Sequence, residues 1–162
     1  MRVYSMLIFA LFLSTLSTLT LALDVPWETL KTLELDSKTK KNIIKPELKK
    51  VLGTEIKMKG FMMPLDFEAK EIVEFLFMPY VPACMHVPPP PANQLILVTL
   101  KKGIKMKPSF YPIEITGKLS VAPSAELESS YKFESTKVTE IKDYTPPTTP
   151  APNVAPGTSH TN

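Results

Sequence analysis

Hydrophobic and polar residues alternate along several stretches between positions 54 and 141, and this period of two predicts β-strands. Residues 54–63, 111–121 and 131–141 follow this pattern, whereas residues 72–79 and 95–100 are dense apolar runs typical of buried strands. Turn-forming residues separate the five stretches. The first strand should kink at Gly60, and Gly117 should mark a bulge in the fourth. The pattern is typical of a mainly β domain, either a small five-stranded OB-like barrel or a sandwich.

One or two short helices are predicted before these strands. The first begins near Asp24, the candidate N-cap, with Pro26 in its first turn. Its apolar residues recur at helical spacing, at Trp27, Leu30 and Leu33. The second helix spans residues 46–53, since proline favours a helix start and Gly53 favours its end. The lysine-rich stretch 36–42 between them should be solvated.

Both ends of the chain differ in composition from the middle. A short basic start and an apolar run predict a signal peptide at residues 1–22, with an uncleaved membrane anchor as the alternative. The folded β domain should then cover residues 23–144. Residues 145–162 are rich in proline and threonine and are predicted to be a disordered tail. The protein is therefore expected in the periplasm or secreted, and at a membrane only if the first segment stays uncleaved.

Charge excludes one class of partner. The only arginine is Arg2, which leaves with the predicted signal peptide, and the lysines are dispersed. Arginine is favoured for planar recognition of phosphate, so we expect no nucleic-acid partner.

The segment Pro79–Gln94 holds the chemistry-bearing residues. Cys84 is the only cysteine, and it stands two positions before His86. In an extended segment these side chains share a face, about 7 Å apart at Cα. Together they could bind zinc or copper. Alternatively, His86 could lower the pKa of the thiol and make Cys84 a nucleophile, or both residues could be structural.

Two ligands are too few for a complete metal site, because a structural zinc takes four protein ligands and a catalytic zinc three. A partner protein or a second copy could supply the others. Within the chain, the candidates are Asp66, Glu68, Glu71, Glu74, Asn93 and His160. Six methionines also follow the signal region, and core filling is their commoner role. They are Met58, Met62, Met63, Met78, Met85 and Met106.

Four consecutive prolines follow the pair. Pro88, Pro89, Pro90 and Pro91 should form a polyproline II rod, because proline fixes φ and lacks a backbone donor. The rod could hold a binding site rigid, or cross between two strands with Asn93 and Gln94 satisfying backbone groups. It could also be a ligand for an aromatic groove on a partner. The sequence contains no nucleotide-binding loop, serine-hydrolase elbow or zinc-protease motif, which favours a non-enzymatic role.

Three blocks of sequence, Gly60–Leu65, Val73–Tyr80 and Cys84–Gln94, resemble a family of bacterial exported proteins and lipoproteins. It is catalogued as domain of unknown function 3299, with a pattern that ends in C-x-H-x-P-P-P-P-x-N-Q. The resemblance covers residues 45–121, and the chain departs from the pattern at Phe61 and Pro82. It implies a periplasmic or lipid-anchored protein, in some cases beside ABC-type transporter components and linked to metal uptake.

The resemblance carries over Cys84, His86, the four prolines, Asn93 and Gln94 as a signature, without an activity. The leading hypothesis is an exported binding module that holds zinc or copper at Cys84 and His86 and assists an envelope transporter. The alternatives are an interaction module without metal and a thiol-dependent enzyme.

Overall fold

A computed structural model describes residues 22–36, 38–39, 41–82, 88–106, 112–124 and 126–147. Within these ranges, eight strands alternate with two α-helices and one 3-10 helix. The strands are β1 (Leu23–Asp24), β2 (Glu34–Leu35), β3 (Asn42–Ile43), β4 (Glu55–Pro64), β5 (Ile72–Met78), β6 (Ile96–Ile104), β7 (Pro112–Ser124) and β8 (Ser129–Glu140). The helices are α1 (Trp27–Lys31), α2 (Pro46–Val51) and the 3-10 helix Ala92–Gln94.

The five long strands pair in a closed ring. Their order is β4-β5-β6-β8-β7, and β4 also pairs with β7, while β1 joins the outer edge of β4 as a sixth strand. The β6–β8 and β1–β4 pairs are parallel, and the other pairs are antiparallel. The predicted mainly β domain, with five long strands after two short helices, is confirmed.

β4 pairs with both of its neighbours in the ring, each along a different part of its length. Residues 55–61 pair with β7, and residues 61–64 pair with β5. The change falls beside Gly60, where the sequence predicts a kink. A Cβ at Gly60 would lie 2.6 Å from the carbonyl oxygen of Met78, so only glycine lets β5 approach this closely. The predicted irregularity at Gly117 is also present, as a register shift between Thr116 and Gly117.

The core lies inside the ring and under α1. Tyr131, Phe75, Phe77 and Phe133 are among its largest fully buried side chains. Trp27 on α1 packs against Phe77 at 5.2 Å between ring centroids. The Trp27 Nε1 also donates a hydrogen bond of 2.7 Å to the carbonyl oxygen of Lys59. These contacts hold α1 on β4, since a helix of five residues is not stable alone.

One local expectation is wrong. Asp24 lies in β1 rather than at a helix cap, and α1 starts after Pro26 without a side-chain cap. The stretch 36–42 is solvated as expected, with its described lysines exposed, although Asn42 also pairs with Leu35 in the small β2–β3 sheet. Gly53, by contrast, follows α2 with a φ of 74°, in the left-handed conformation expected after a helix end. Within the described ranges, no helix has the length and apolar character needed to cross a bilayer.

Candidate functional site

The predicted metal ligands Cys84 and His86 lie outside the described residues, as does Met85. The structure describes the chain on either side, from Pro79 to Pro82 and from Pro88 onward. We call these two stretches the first and the second flank of the Cys84–His86 pair. Each flank is bound to other elements by side-chain hydrogen bonds.

One hydrogen bond joins the two flanks directly. The Tyr80 hydroxyl donates to the carbonyl oxygen of Pro88 at 3.3 Å, so the residues on either side of the Cys84–His86 pair are held together. Tyr80 follows β5 and is only 5% exposed. Burial raises the pKa of its phenol, so the hydroxyl keeps its proton and remains a donor at neutral pH. Pro88 lacks a backbone N–H, but its carbonyl is free to accept this bond.

The first flank is also bound to the C-terminal part of the domain. The Tyr144 hydroxyl donates to the carbonyl oxygen of Pro79 at 3.2 Å. Its ring meets Phe61 of β4 edge-on, with 5.4 Å between centroids. Burial raises the pKa of the Tyr144 phenol to about 12. Tyr144 thereby connects β4 to the start of the 79–88 loop.

The second flank ends in the 3-10 helix. Pro91 has φ −67° and ψ 160°, close to polyproline II values, as the sequence predicts for this run. Pro90 is buried, whereas Pro88 and Pro89 are exposed. The backbone N–H of Gln94 donates to the carbonyl oxygen of Pro91 at 2.7 Å, and Gln94 itself is buried. The run therefore turns into the core directly after its last proline.

Asn93 binds the end of α1. Its Nδ2 donates to the carbonyl oxygens of Lys31 and Leu33, at 3.3 and 3.2 Å. The predicted satisfaction of backbone groups by an amide side chain is present here. These two hydrogen bonds give the amide nitrogen of Asn93 a structural role, so that nitrogen is not available to a ligand.

The carboxylates proposed as further ligands lie elsewhere. Asp66 and Glu68 are in the β4–β5 turn, Glu71 directly precedes β5, and Glu74 lies on it. From Glu71, β5 extends about 20 Å to Met78, after which the chain continues through Pro79. Among the described residues, no group of three or more histidine, cysteine, aspartate or glutamate side chains could hold a metal ion. His160 lies outside the described residues.

The methionines of the described ranges belong to the apolar packing. Met58, Met62 and Met78 are buried in the core, at 1%, 1% and 3% exposure. Met63 and Met106 are half-buried against core clusters.

The site residues predicted from the sequence did not include the two tyrosines whose hydrogen bonds hold the flanks. Tyr80 belongs to the block F-L-F-M-P-Y, where its position directly after a buried strand was an available signal. Tyr144 stands at the predicted domain boundary, where the proline-rich composition of the next residues obscures it. Neither tyrosine stands out in the sequence by its chemistry, so only the hydrogen bonds in the structure reveal the role of each.

Comparisons with known proteins agree with the resemblance at the level of the family. The family model DUF3299, described as a protein of unknown function, matches residues 24–140. A crystal structure of a DUF3299 family protein from Pseudomonas aeruginosa is similar, with a TM-score of 0.58 and 27% sequence identity. The match covers 77% of this chain and 99% of that chain. No curated protein matches.

Proposed function

The chain belongs to the DUF3299 family, and from that premise we propose that it is an exported binding module for a transition metal ion. Cys84 and His86 would hold the ion, which is zinc or copper, and the module would assist an envelope transport system. The observation that best supports this proposal is the Tyr80–Pro88 hydrogen bond of 3.3 Å, which joins the two flanks of the pair. A hydrogen bond that restrains the chain on both sides of two ligands reduces the conformational entropy that the chain loses when the ligands bind an ion.

The donor chemistry suits this choice of ion. Thiolate is a soft ligand for copper(I) and zinc, and neutral imidazole binds both metals. Asp66, Glu68 and Glu71 lie at the end of β5 away from Pro79, so the donors we assign to the ion are the thiolate and the imidazole. A two-ligand site leaves coordination positions open for water or for a second protein. Such a site fits transfer of an ion better than permanent structural binding.

Metal analysis of the purified protein tests the proposal. Protein expressed from the complete sequence would be equilibrated with zinc, or with copper(I) under reducing conditions, then freed of excess ion and analysed for bound metal. We expect up to one ion per chain, and loss of it in the double variant Cys84→Ala/His86→Ala. Leu35→Ala is the control, because it changes an exposed residue whose side chain cannot bind a metal ion, and it should keep the metal. Equal, negligible metal in wild type and double variant would contradict the proposal.

An interaction module without metal is the second candidate, favoured by the exposure of Pro88 and Pro89 beside a loop held by structural hydrogen bonds. A metal-free protein whose Cys84→Ala variant loses stability alone, by about 1–3 kcal/mol, would support it. The thiol-enzyme alternative predicts instead that His86→Ala slows alkylation of Cys84 at mildly acidic pH.

A further inference from the structure

Two surface segments at opposite ends of β4 carry opposite charge. Residues 65–74, which we call the acidic hairpin, follow β4 and contain four carboxylates and one lysine. Residues 41–50, which we call the basic platform, precede β4 and contain four lysines and one carboxylate. β4 has ten residues, so about 30 Å of extended strand separates the two segments.

The acidic hairpin exposes large apolar side chains among its charges. Leu65, Phe67 and Val73 are 42%, 59% and 52% exposed. A small cavity of about 170 Å³ lies between Leu65 and Val73, with room for one aliphatic side chain. Exposed apolar groups that adjoin one another and are rimmed by charge mark interaction surfaces.

Glycine at position 103 lets the hairpin lie close against β6. A Cβ at Gly103 would come within 2.9 Å of the Glu71 carboxylate and 3.3 Å of a Val73 methyl group. The base of the hairpin is therefore supported by the sheet rather than projecting alone. Glu71 is also 3.9 Å from the Lys105 ammonium group, an exposed and weak ion pair.

The basic platform also exposes apolar side chains, and its charge is opposite to that of the acidic hairpin. Ile43 and Ile44 are 44% and 40% exposed, and the nearby Lys41, Lys49 and Lys50 are exposed as well. Leu48 is fully buried and anchors α2 to the core. Lys45 is bound to Glu34 at 2.5 Å, which ties the platform to the β2–β3 sheet.

We propose that the basic platform of one copy of this chain binds the acidic hairpin of a second copy. The isoleucines would pack on Leu65, Phe67 and the cavity between hairpin and β5, while the lysines would face Asp66, Glu68 and Glu74. The two surfaces differ and lie at opposite ends of β4, so the contact is head-to-tail. A head-to-tail contact leaves one free surface at each end and can extend to further copies.

This contact depends on ionic strength. The charged residues on both segments are exposed, so their attraction is screened at distances beyond about 10 Å at 0.1 M salt. The apolar part is small compared with a stable dimer interface. Association should therefore be weak, concentration-dependent and reversed by salt.

Sedimentation velocity tests the proposal on protein expressed from the complete sequence, with a reductant and a metal chelator present. These additions remove disulfide-linked and metal-bridged dimers, so the result is independent of the proposed metal site. We expect the weight-average sedimentation coefficient to rise between about 5 and 500 μM protein at low salt, and the rise to vanish near 0.5 M salt. A coefficient independent of concentration at low salt would overturn the proposal.

Two variants that each block one surface give the decisive measurement. Leu65→Ser/Phe67→Ser blocks the hairpin, Ile43→Ser/Ile44→Ser blocks the platform, and each alone should sediment as a monomer. Their equimolar mixture should form dimers and nothing larger, because each variant retains the surface that the other lacks. Leu23→Ser, at an exposed apolar residue outside both segments, should associate as the wild type does. A monomeric mixture beside an associating wild type would assign the contact to other surfaces and refute the proposal.

Discussion

At the scale of single residues, three main-chain carbonyl groups at the C-terminal end of α1 accept hydrogen bonds from side chains. Tyr131 donates to Leu30 at 2.7 Å, and Asn93 donates to Lys31 and Leu33. The last carbonyls of a helix have no partner within the helix itself. Asn93 therefore has a structural role, because its amide group provides hydrogen bonds to carbonyl groups at the end of α1.

Replacing Asn93 tests this task. Asn93→Ala removes both hydrogen bonds and leaves two partly buried carbonyls to find other partners, so we expect a loss of about 1–2 kcal/mol in the free energy of unfolding. Urea unfolding measures it, with the exposed Asn42→Ala as the control that should stay within about 0.5 kcal/mol. A stability loss in the control equal to that of Asn93→Ala would contradict this role. Unchanged metal content in Asn93→Ala would also remove Asn93 from the candidate ligands.

At the scale of elements, alternation of apolar and polar residues predicted three of the five long strands and dense apolar runs predicted the other two, but neither pattern predicted where the strands end. β6 continues through Lys101 to Ile104, because Ile104 still pairs with Ile72. β7 likewise runs to Ser124, where its partner is Ser129. Strand ends depend on the partner's length, which a single stretch of sequence does not contain. β1, β2 and β3 have two residues each, too few for any period to be visible.

The sequence indicates where the candidate site should lie, but not how its two flanks are held in place. The unusual composition of Pro79–Gln94 identified the loop, since no other part of the chain combines a cysteine, a histidine and four prolines. The hydrogen bonds that hold its flanks come from Tyr80 and Tyr144, and the latter is 65 residues from Pro79. A contact across that separation is set by the closed ring of strands and has no local signal.

Tyr144 makes the loop's attachment dependent on pH. Burial raises its pKa to about 12, above the value near 10 of an unfolded phenol, so the folded state binds this proton more tightly. The associated stability is fully present below pH 10 and is lost as pH rises toward 12. We expect thermal midpoints measured from pH 8 to 12 to fall less steeply in Tyr144→Phe than in wild type. Parallel curves for the two proteins would contradict the prediction.

At the scale of the whole molecule, the contacts of the domain extend past the last strand. β8 ends at Glu140, yet the backbone N–H of Ile141 donates to the carbonyl oxygen of Pro112, and Tyr144 packs on Phe61. The family match ends at residue 140, four residues before this tyrosine. The predicted boundary at 144 includes these contacts because Tyr144 is the last aromatic residue before the proline-rich tail.

Two truncations measure where the folded unit ends. A chain that stops after residue 147 should keep the unfolding midpoint of the full chain, because the contacts of Ile141 and Tyr144 remain. A chain that stops after residue 140 loses those contacts and should be less stable by about 1–3 kcal/mol. Urea unfolding of both truncations beside the full chain gives the comparison. Equal midpoints for the two truncations would show that residues 141–147 add nothing to stability.

The bond from Tyr144 to Pro79 also sets an order of events during synthesis. Pro79 leaves the ribosome 65 residues before Tyr144 does, which is roughly 3–13 s at 5–20 residues per second. Throughout that interval the segment with the only thiol lacks its C-terminal attachment, while β6, β7 and β8 are still being made. A chain that is still being synthesised therefore carries Pro79 without the hydrogen bond that Tyr144 provides in the folded protein.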